Sequence, residues 1–244
     1  QYLKEKKKFG YWLDKHARII GTASFSLKEV LNRDWNASVT CAEDYLTYQP
    51  KFFTFPTQEE LGNISLQIVA DGPNRDDQVL KGGFIKMILG AKKRILIQTP
   101  YLIPDDSMMD ALLIAVRSGV EVNIMIPCMP DHPFIYRATQ YYASNLKKKG
   151  VKISIYTGGF LHAKVLVIDD HISSFGTMNQ DIRSYALNFE VNAFVYNQEL
   201  TKTLAESFEK DLEQSIELTD AMIAQQSLWL KTKQSVARLL SPIL

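Results

Sequence analysis

The sequence predicts an α/β fold: a mixed β-sheet flanked by helices on both faces. Two observations carry this. From residue 64 onward, short runs rich in branched apolar residues alternate with longer segments of helical periodicity. In addition, Val165-Leu-Val-Ile168 is apolar at every position, so both of its faces must be covered and it belongs in the middle of a sheet.

The elements follow in order. Phe25, Leu27, Val30 and Leu31 recur at helical spacing and predict a helix over 26–35. Residues 41–63, with Pro50, Pro56 and many aromatics, read as a long connection. Residues 64–70 alternate as a strand does, and Gly72-Pro73 ends it. A helix is predicted over 76–91 and a strand over 94–99. Pro104-Asp-Asp-Ser107 opens the next helix with acidic residues and a capping serine at the positive end of its dipole. A strand over 120–126 and a helix over 134–149 follow, the latter ending on Lys147, Lys148 and Lys149, which suit a helix C-terminus. Strands are predicted over 151–156, 163–169, 172–177 and 189–196, and two helices, 198–215 and 219–240, finish the chain. No internal repeat is visible.

Composition bounds the function. The 244 residues suffice for one large α/β domain or two small ones, and 46% hydrophobic with 23% charged residues is ordinary for a globular fold. The net charge of +1 supplies no global field for nucleic acid, so no nucleic-acid partner is expected. Apolar runs are far too short to span a bilayer, and the N-terminus carries no charged-then-apolar signal. Cys41 and Cys128 offer neither a disulfide framework nor metal-ligand spacing, and no metal site is expected.

The most informative segment is Phe160-Leu-His-Ala-Lys-Val-Leu-Val-Ile-Asp169, followed by Gly176-Thr-Met-Asn179. His162 and Lys164 are two residues apart, so on a strand they share a face. An imidazole beside a fixed positive charge suits attack on, or stabilisation of, a phosphodiester. Lys164 is a point charge for non-bridging phosphate oxygens. Asn179 can donate to the same phosphate, and Thr177 can add a hydroxyl if the strand continues. Asp169 belongs to the same signature, but seven residues beyond His162 it would lie roughly 20 Å away on an extended chain, so fixing the following turn is the preferred role. Glu190 interrupts an apolar strand and needs a partner. Asp131-His132 follows a strand end; a pocket role and loop capping are both open. His16 and His171 have no special reading.

The spacing His-x-Lys, four residues, Asp, six residues, Gly-x-x-Asn resembles the signature of the phospholipase D superfamily. Thr99-Pro-Tyr-Leu-Ile-Pro-Asp-Asp106, Ile126-Pro-Cys-Met-Pro-Asp-His-Pro-Phe134, Asp181-Ile-Arg-Ser184 and Leu187-Asn-Phe-Glu-Val-Asn192 narrow the resemblance to bacterial cardiolipin synthases. That resemblance implies a phospholipase D-like sandwich and a phosphohistidine intermediate, with no cofactor. It implies a phosphatidyl transfer from one phosphatidylglycerol to another, giving cardiolipin and glycerol. It names His162, Lys164, Asp169 and Glu190 as the catalytic set, with Lys164, Asn179 and Thr177 on the phosphate and Glu190 hydrogen-bonded to the histidine. The family has two such signatures, and this chain has one. Residues 1–40, with Tyr11-Trp-Leu-Asp-Lys-His-Ala-Arg-Ile-Ile20, resemble the stretch after the first signature. They are expected to be the tail of a missing N-terminal half, joined through 41–63 to a C-terminal domain of 64–244, and Ser241-Pro-Ile-Leu244 resembles the family's C-terminus. The partners implied are an anionic phospholipid, the missing half or a second copy of the chain, and the surface of a bacterial cell membrane, with this chain soluble or peripheral. By analogy the first-signature histidine is the nucleophile and His162 the acid/base; the sequence itself leaves both roles open.

Two alternatives accompany that reading: the same chemistry with water as acceptor, as in a phospholipase D or nuclease, or a non-catalytic fragment that dimerises or binds headgroups. The C-terminal stretch Leu228–Leu240 mixes Trp229, Leu230 and Leu239 with Lys231, Lys233 and Arg238. It is read either as a helix packed on the sheet or as one lying on an anionic membrane. Lys4–Lys8 has the same two readings, headgroup contact or a solvated run.

Overall fold

The structure is a computed structural model that describes residues 10–47, 62–129 and 131–241. Its elements are β1 (Trp12–Leu13), α1 (Ala23–Ser38), β2 (Ser65–Asp71), α2 (Val79–Gly90), β3 (Arg94–Gln98), β4 (Leu102–Ile103), α3 (Asp106–Arg117), β5 (Glu121–Pro127), α4 (Pro133–Lys148), β6 (Lys152–Tyr156), β7 (Phe160–Leu161), β8 (Val165–Ile168), β9 (Ile172–Gly176), β10 (Gln180–Asp181), α5 (Ile182–Ala186), β11 (Glu190–Tyr196), α6 (Gln198–Leu212), β12 (Ser215–Glu217), α7 (Asp220–Ala224) and α8 (Leu228–Leu239). Eight strands form one sheet in the order β12-β6-β5-β3-β8-β9-β11-β2. The β3-β5-β6 core is parallel and the other pairings are antiparallel, so the sheet is mixed as expected.

The continuous apolar run of β8 has the predicted cause. Leu166 and Ile168 join Ile95, Ile97, Val122 and Ile124 in a core under α2 and α3, while Val165 and Val167 join Leu96 and Met125 under Ala205 and Phe208 of α6. Alternation on each strand thus feeds two cores, one per face.

Several expected boundaries move for local reasons. The helix expected over 219–240 is two helices, because Thr219 and Ser227 each cap a separate N-terminus, their hydroxyls accepting from Met222 N and Leu230 N. The helix expected to reach 215 ends at Leu212, and Ser215–Glu217 form an edge strand against β6. Asp105, not Ser107, caps α3: its carboxylate accepts from Met108 N at 2.9 Å, and Ser107 donates to it. The helix predicted from 76 starts at Val79, after Gln78 with φ of +43°. The strand expected from 163 starts at Val165, so His162 and Lys164 lie in the break between β7 and β8. Most of the 41–63 connection, the Lys4–Lys8 run and Pro242–Leu244 lie outside the described residues.

Candidate active site

The site lies where β3 and β5 end. Gln98, the last residue of β3, pairs with Val165, the first of β8, so the break carrying His162 and Lys164 opens at that edge of the sheet. Its floor is β9 and β11, seen in Phe175 and Ala193, and its far wall is Leu27 of α1. The cavity measures about 540 Å³ and is also lined by Asp14, His162, Lys164, Thr177 and Asn179.

The sequence reading did not name the residue that pairs with the histidine. His162 Nδ1 lies 3.0 Å from Asp14 Oδ2, and Lys164 Nζ lies 2.9 Å from His162 Nε2. An ammonium only donates, so Nε2 accepts and Nδ1–H donates to Asp14. The imidazole is thereby fixed in one tautomer, with its lone pair on Lys164 Nζ. Lys164 also donates to the His162 carbonyl at 2.6 Å.

Two clamps bring Asp14 into place. β1 pairs in parallel with β7, with Phe160 N donating to Tyr11 O and His162 N to Leu13 O, both at 2.8 Å. Lys15 reaches Ser207 at 2.7 Å and the buried Asp211 at 2.9 Å on α6, where Gln98 also donates to the same carboxylate oxygen at 2.8 Å. Gly159 permits the approach of β1: its φ is +145°, and a Cβ there would meet Tyr11 O at 2.1 Å. Trp12 covers the imidazole, their ring centroids 5.0 Å apart. Residues 10–15 therefore pack as part of the domain that holds the signature.

Burial sets the electrostatics. Lys164 is pushed down to about 8 by desolvation, against the opposing charges of Asp14, Glu190, Asp181 and Asp131. Burial acts to raise the Asp14 carboxyl, but the hydrogen bond and charge of His162 and the charge of Lys164 outweigh it and hold it below the ordinary value. Asp181 is pushed up to about 6 by burial, with the charge of Glu190 adding to the shift while the Ser184 N–H and hydroxyl oppose it.

The other predicted residues divide. Asn179 lines the cavity; its Nδ2 donates to Ser184 at 3.2 Å, and its buried Oδ1 has no partner among the described residues. The same side chain also hydrogen-bonds Asp181 and acts to lower that carboxyl. Thr177 lines the cavity but spends its hydroxyl on the β9–β11 join, accepting from Val191 N at 2.9 Å. Gly176 is required just before it, because a Cβ would meet Val191 O at 2.3 Å.

One expectation needs correction, and for Asp169 and Asp131-His132 the geometry favours the structural reading over a place at the site. Glu190 does not bond His162: its carboxylate accepts from Asn188 at 3.1 Å, because Asp14 already occupies Nδ1. Asp169 is not at the site. It stands at the opposite end of β8, where its carboxylate accepts from the backbone N–H of Lys92, Lys93 and Arg94 at 2.7–2.9 Å. Asp131-His132 does not line the cavity: Asp131 accepts a short hydrogen bond from the Tyr101 hydroxyl and caps His132 N, and it reaches Lys164 only through its charge. No group of three or more His, Cys, Asp or Glu among the described residues is arranged to hold a metal.

With this geometry established, comparison with known proteins is informative. A family profile described as "Cardiolipin synthase, PLD-like domain" matches residues 84–212. A cardiolipin synthase of Listeria welshimeri is 48% identical over 244 residues, all of this chain and 50% of that protein. One of Staphylococcus aureus is 49% identical over 244 residues, again all of this chain and 49% of that protein. The chain thus spans about half the length of the curated relatives it matches. Among solved structures, the phosphatidylserine synthase of Haemophilus influenzae superposes with a TM-score of 0.60 at 15% identity, over 78% of this chain and 51% of that one. At this identity the match speaks for the fold.

Proposed function

The chain belongs to the cardiolipin synthase family of phospholipase D-like domains, and from that premise we propose that it supplies one of two histidine sites of a phosphatidyltransferase. The reaction is transfer of a phosphatidyl group from one phosphatidylglycerol to the hydroxyl of another, at a bacterial membrane surface. One observation carries the proposal: His162 is held between a carboxylate on Nδ1 and an ammonium on Nε2, in a cavity that also offers the Asn179 amide.

The second histidine comes from a preceding half of the protein or from a second copy of the chain. It forms the N–P bond as the P–O bond to glycerol breaks. Once Nε2 is free of Lys164, His162 takes a proton from solvent, Asp14 stabilising the imidazolium, and Nε2 gives that proton to the departing glycerol oxygen. His162 then takes the proton of the incoming hydroxyl, whose oxygen attacks phosphorus and breaks the N–P bond. Lys164 and Asn179 hold the non-bridging oxygens and stabilise the charge developed at phosphorus. A phosphate oxygen is a stronger partner for the ammonium than an imidazole lone pair. Phosphate binding therefore draws Lys164 off Nε2 and frees it for proton transfer. Glu190 bonds no histidine among the described residues and lies within electrostatic reach of Lys164, which makes it available to the second imidazole.

The test uses phosphatidylglycerol labelled at phosphorus, mixed with the chain and with a His162→Ala variant, each alone and with the first-signature half. Acid-labile, alkali-stable label on that half, with turnover that needs His162, is the expected result. Label on the folded chain alone that vanishes in the variant reassigns His162 as the nucleophile. Turnover that survives His162→Ala overturns the proposal. Comparing glycerol with water as acceptor separates transfer from hydrolysis.

A further inference from the structure

The C-terminal helix is amphipathic in the opposite sense from a packing helix. Its inward side on α4 is narrow: Gln234, Ala237 and Ser241 are buried, and Ala237 packs with Ala138 and Ile103. The large apolar side chains point away, with Leu228 82%, Trp229 68% and Leu239 71% exposed. At about 100° per residue, Leu228, Leu239, Val236 and Trp229 fall within one arc of roughly 100°. Lys231 and Arg238 stand on one side of that arc and Lys233 on the other, with Lys233 Nζ 5.0 Å from the centre of the Trp229 ring. Exposed Phe134 on the first turn of α4 extends the patch across a groove of about 620 Å³, whose walls include Arg137, Trp229 and Val236.

Charge identifies the occupant. Neither α4 nor α8 contains a single Asp or Glu, although the chain as a whole is nearly balanced at +1. An apolar arc between flanking cations, with no acid on either helix, fits the headgroup boundary of an anionic bilayer. Position agrees. Phe134 follows three residues after Asp131, which binds Tyr101 and whose charge bears on Lys164, so the patch and the cavity share one end of the sheet.

We propose that α8 and the first turn of α4 form a peripheral docking surface for anionic phospholipid bilayers. Trp229, Leu228 and Leu239 enter the acyl boundary, while Arg137, Lys231, Lys233 and Arg238 meet lipid phosphates. The surface acts separately from phosphoryl transfer and does not depend on the function proposed for His162. No helix among the described residues is long and apolar enough to cross a membrane, so the contact is with one leaflet.

Sedimentation with vesicles of phosphatidylglycerol and phosphatidylethanolamine, against pure phosphatidylcholine, tests this with the whole chain. Binding is expected to the anionic vesicles, to weaken with salt, and to fall at least tenfold in Trp229→Ser/Leu239→Ser and in Lys231→Glu/Lys233→Glu. Leu89→Ser, at an exposed apolar residue on α2, is expected to bind as the unaltered chain does. A blue shift of tryptophan fluorescence on adding vesicles should be absent in Trp229→Phe. Circular dichroism melts establish that each variant folds. Unchanged binding in both double variants overturns the proposal. So does a concentration-dependent dimer, lost in Trp229→Ser/Leu239→Ser, from a chain that ignores vesicles; the face would then be a protein interface.

Discussion

The two ends of β8 carry residues of one signature and use them in opposite ways. At the Val165 end, Lys164 and His162 have each other and Asp14 for partners, inside a cavity, and burial pushes the lysine down to about 8. At the Ile168 end, Asp169 is saturated by three backbone N–H groups at the start of β3. Burial acts to raise its carboxyl, but those bonds outweigh it and keep it below the ordinary value. Charged groups with exchangeable side-chain partners in a cavity are available to a substrate. A carboxylate whose donors belong to the main chain is not, whatever its place in a motif.

The largest test of that contrast is at His162. In the assembly that carries both histidines, His162→Ala should cut transfer by about 10⁴, the upper range for a general acid/base, with an unchanged melt. A loss under tenfold would remove the functional end of the comparison.

Lys164→Met comes next, with a loss of about 10²–10³ expected from removing one preorganised charge at phosphorus. The ammonium is the useful form, and its folded value is depressed to about 8, so activity should fall as pH rises through about 8. For stability the sign is opposite. Between about 8 and the usual lysine value the unfolded chain binds more protons, so this residue's contribution improves as pH rises across that window. Measuring rate and melting temperature on the same pH series checks both directions.

The Asp14 clamp is a smaller lever. Asp14→Asn should reduce kcat about 10²-fold by losing the charge on Nδ1. Gly159→Ala should reduce it about tenfold by pushing Tyr11 and β1 away, and so displacing Asp14 without touching the cavity. If Gly159→Ala leaves the rate unchanged, the β1–β7 pairing does not position the carboxylate.

These variants also mark how far the sequence was legible. The sheet and its central strand were readable from alternation and apolar runs, and the His162–Lys164–Asn179 cluster from the spacing of the signature, although His162 and Lys164 stand in the break before β8 and not on a strand. Asp14 was not, because its pairing with His162 joins positions 148 apart through a two-residue strand that no periodicity announces. Glu190 was read as a paired carboxylate, yet the imidazole expected for it is claimed by Asp14. The split between α7 and α8 was hidden because two cap signals, Thr219 and Ser227, sit eight residues apart in one amphipathic pattern.

The smallest effect on rate should come from Asp169→Ala, although the residue belongs to the signature. Removing the carboxylate strands three N–H groups on a partly exposed edge, where water recovers much of the loss, and leaves alanine at φ of +50°. A cost of about 1–2 kcal/mol follows, or a melting temperature lower by roughly 3–6 °C. Because the folded carboxyl lies below its unfolded value, this contribution is present above about pH 4 and disappears as pH falls further. The difference in melting temperature between the two proteins should therefore narrow in acid. At a temperature where both are folded, kcat should change by less than about threefold, since no atom of Asp169 lines the cavity. A hundredfold loss of rate from a folded Asp169→Ala variant would mean that β8 transmits its far end to His162, and the two ends would have to be treated as one site.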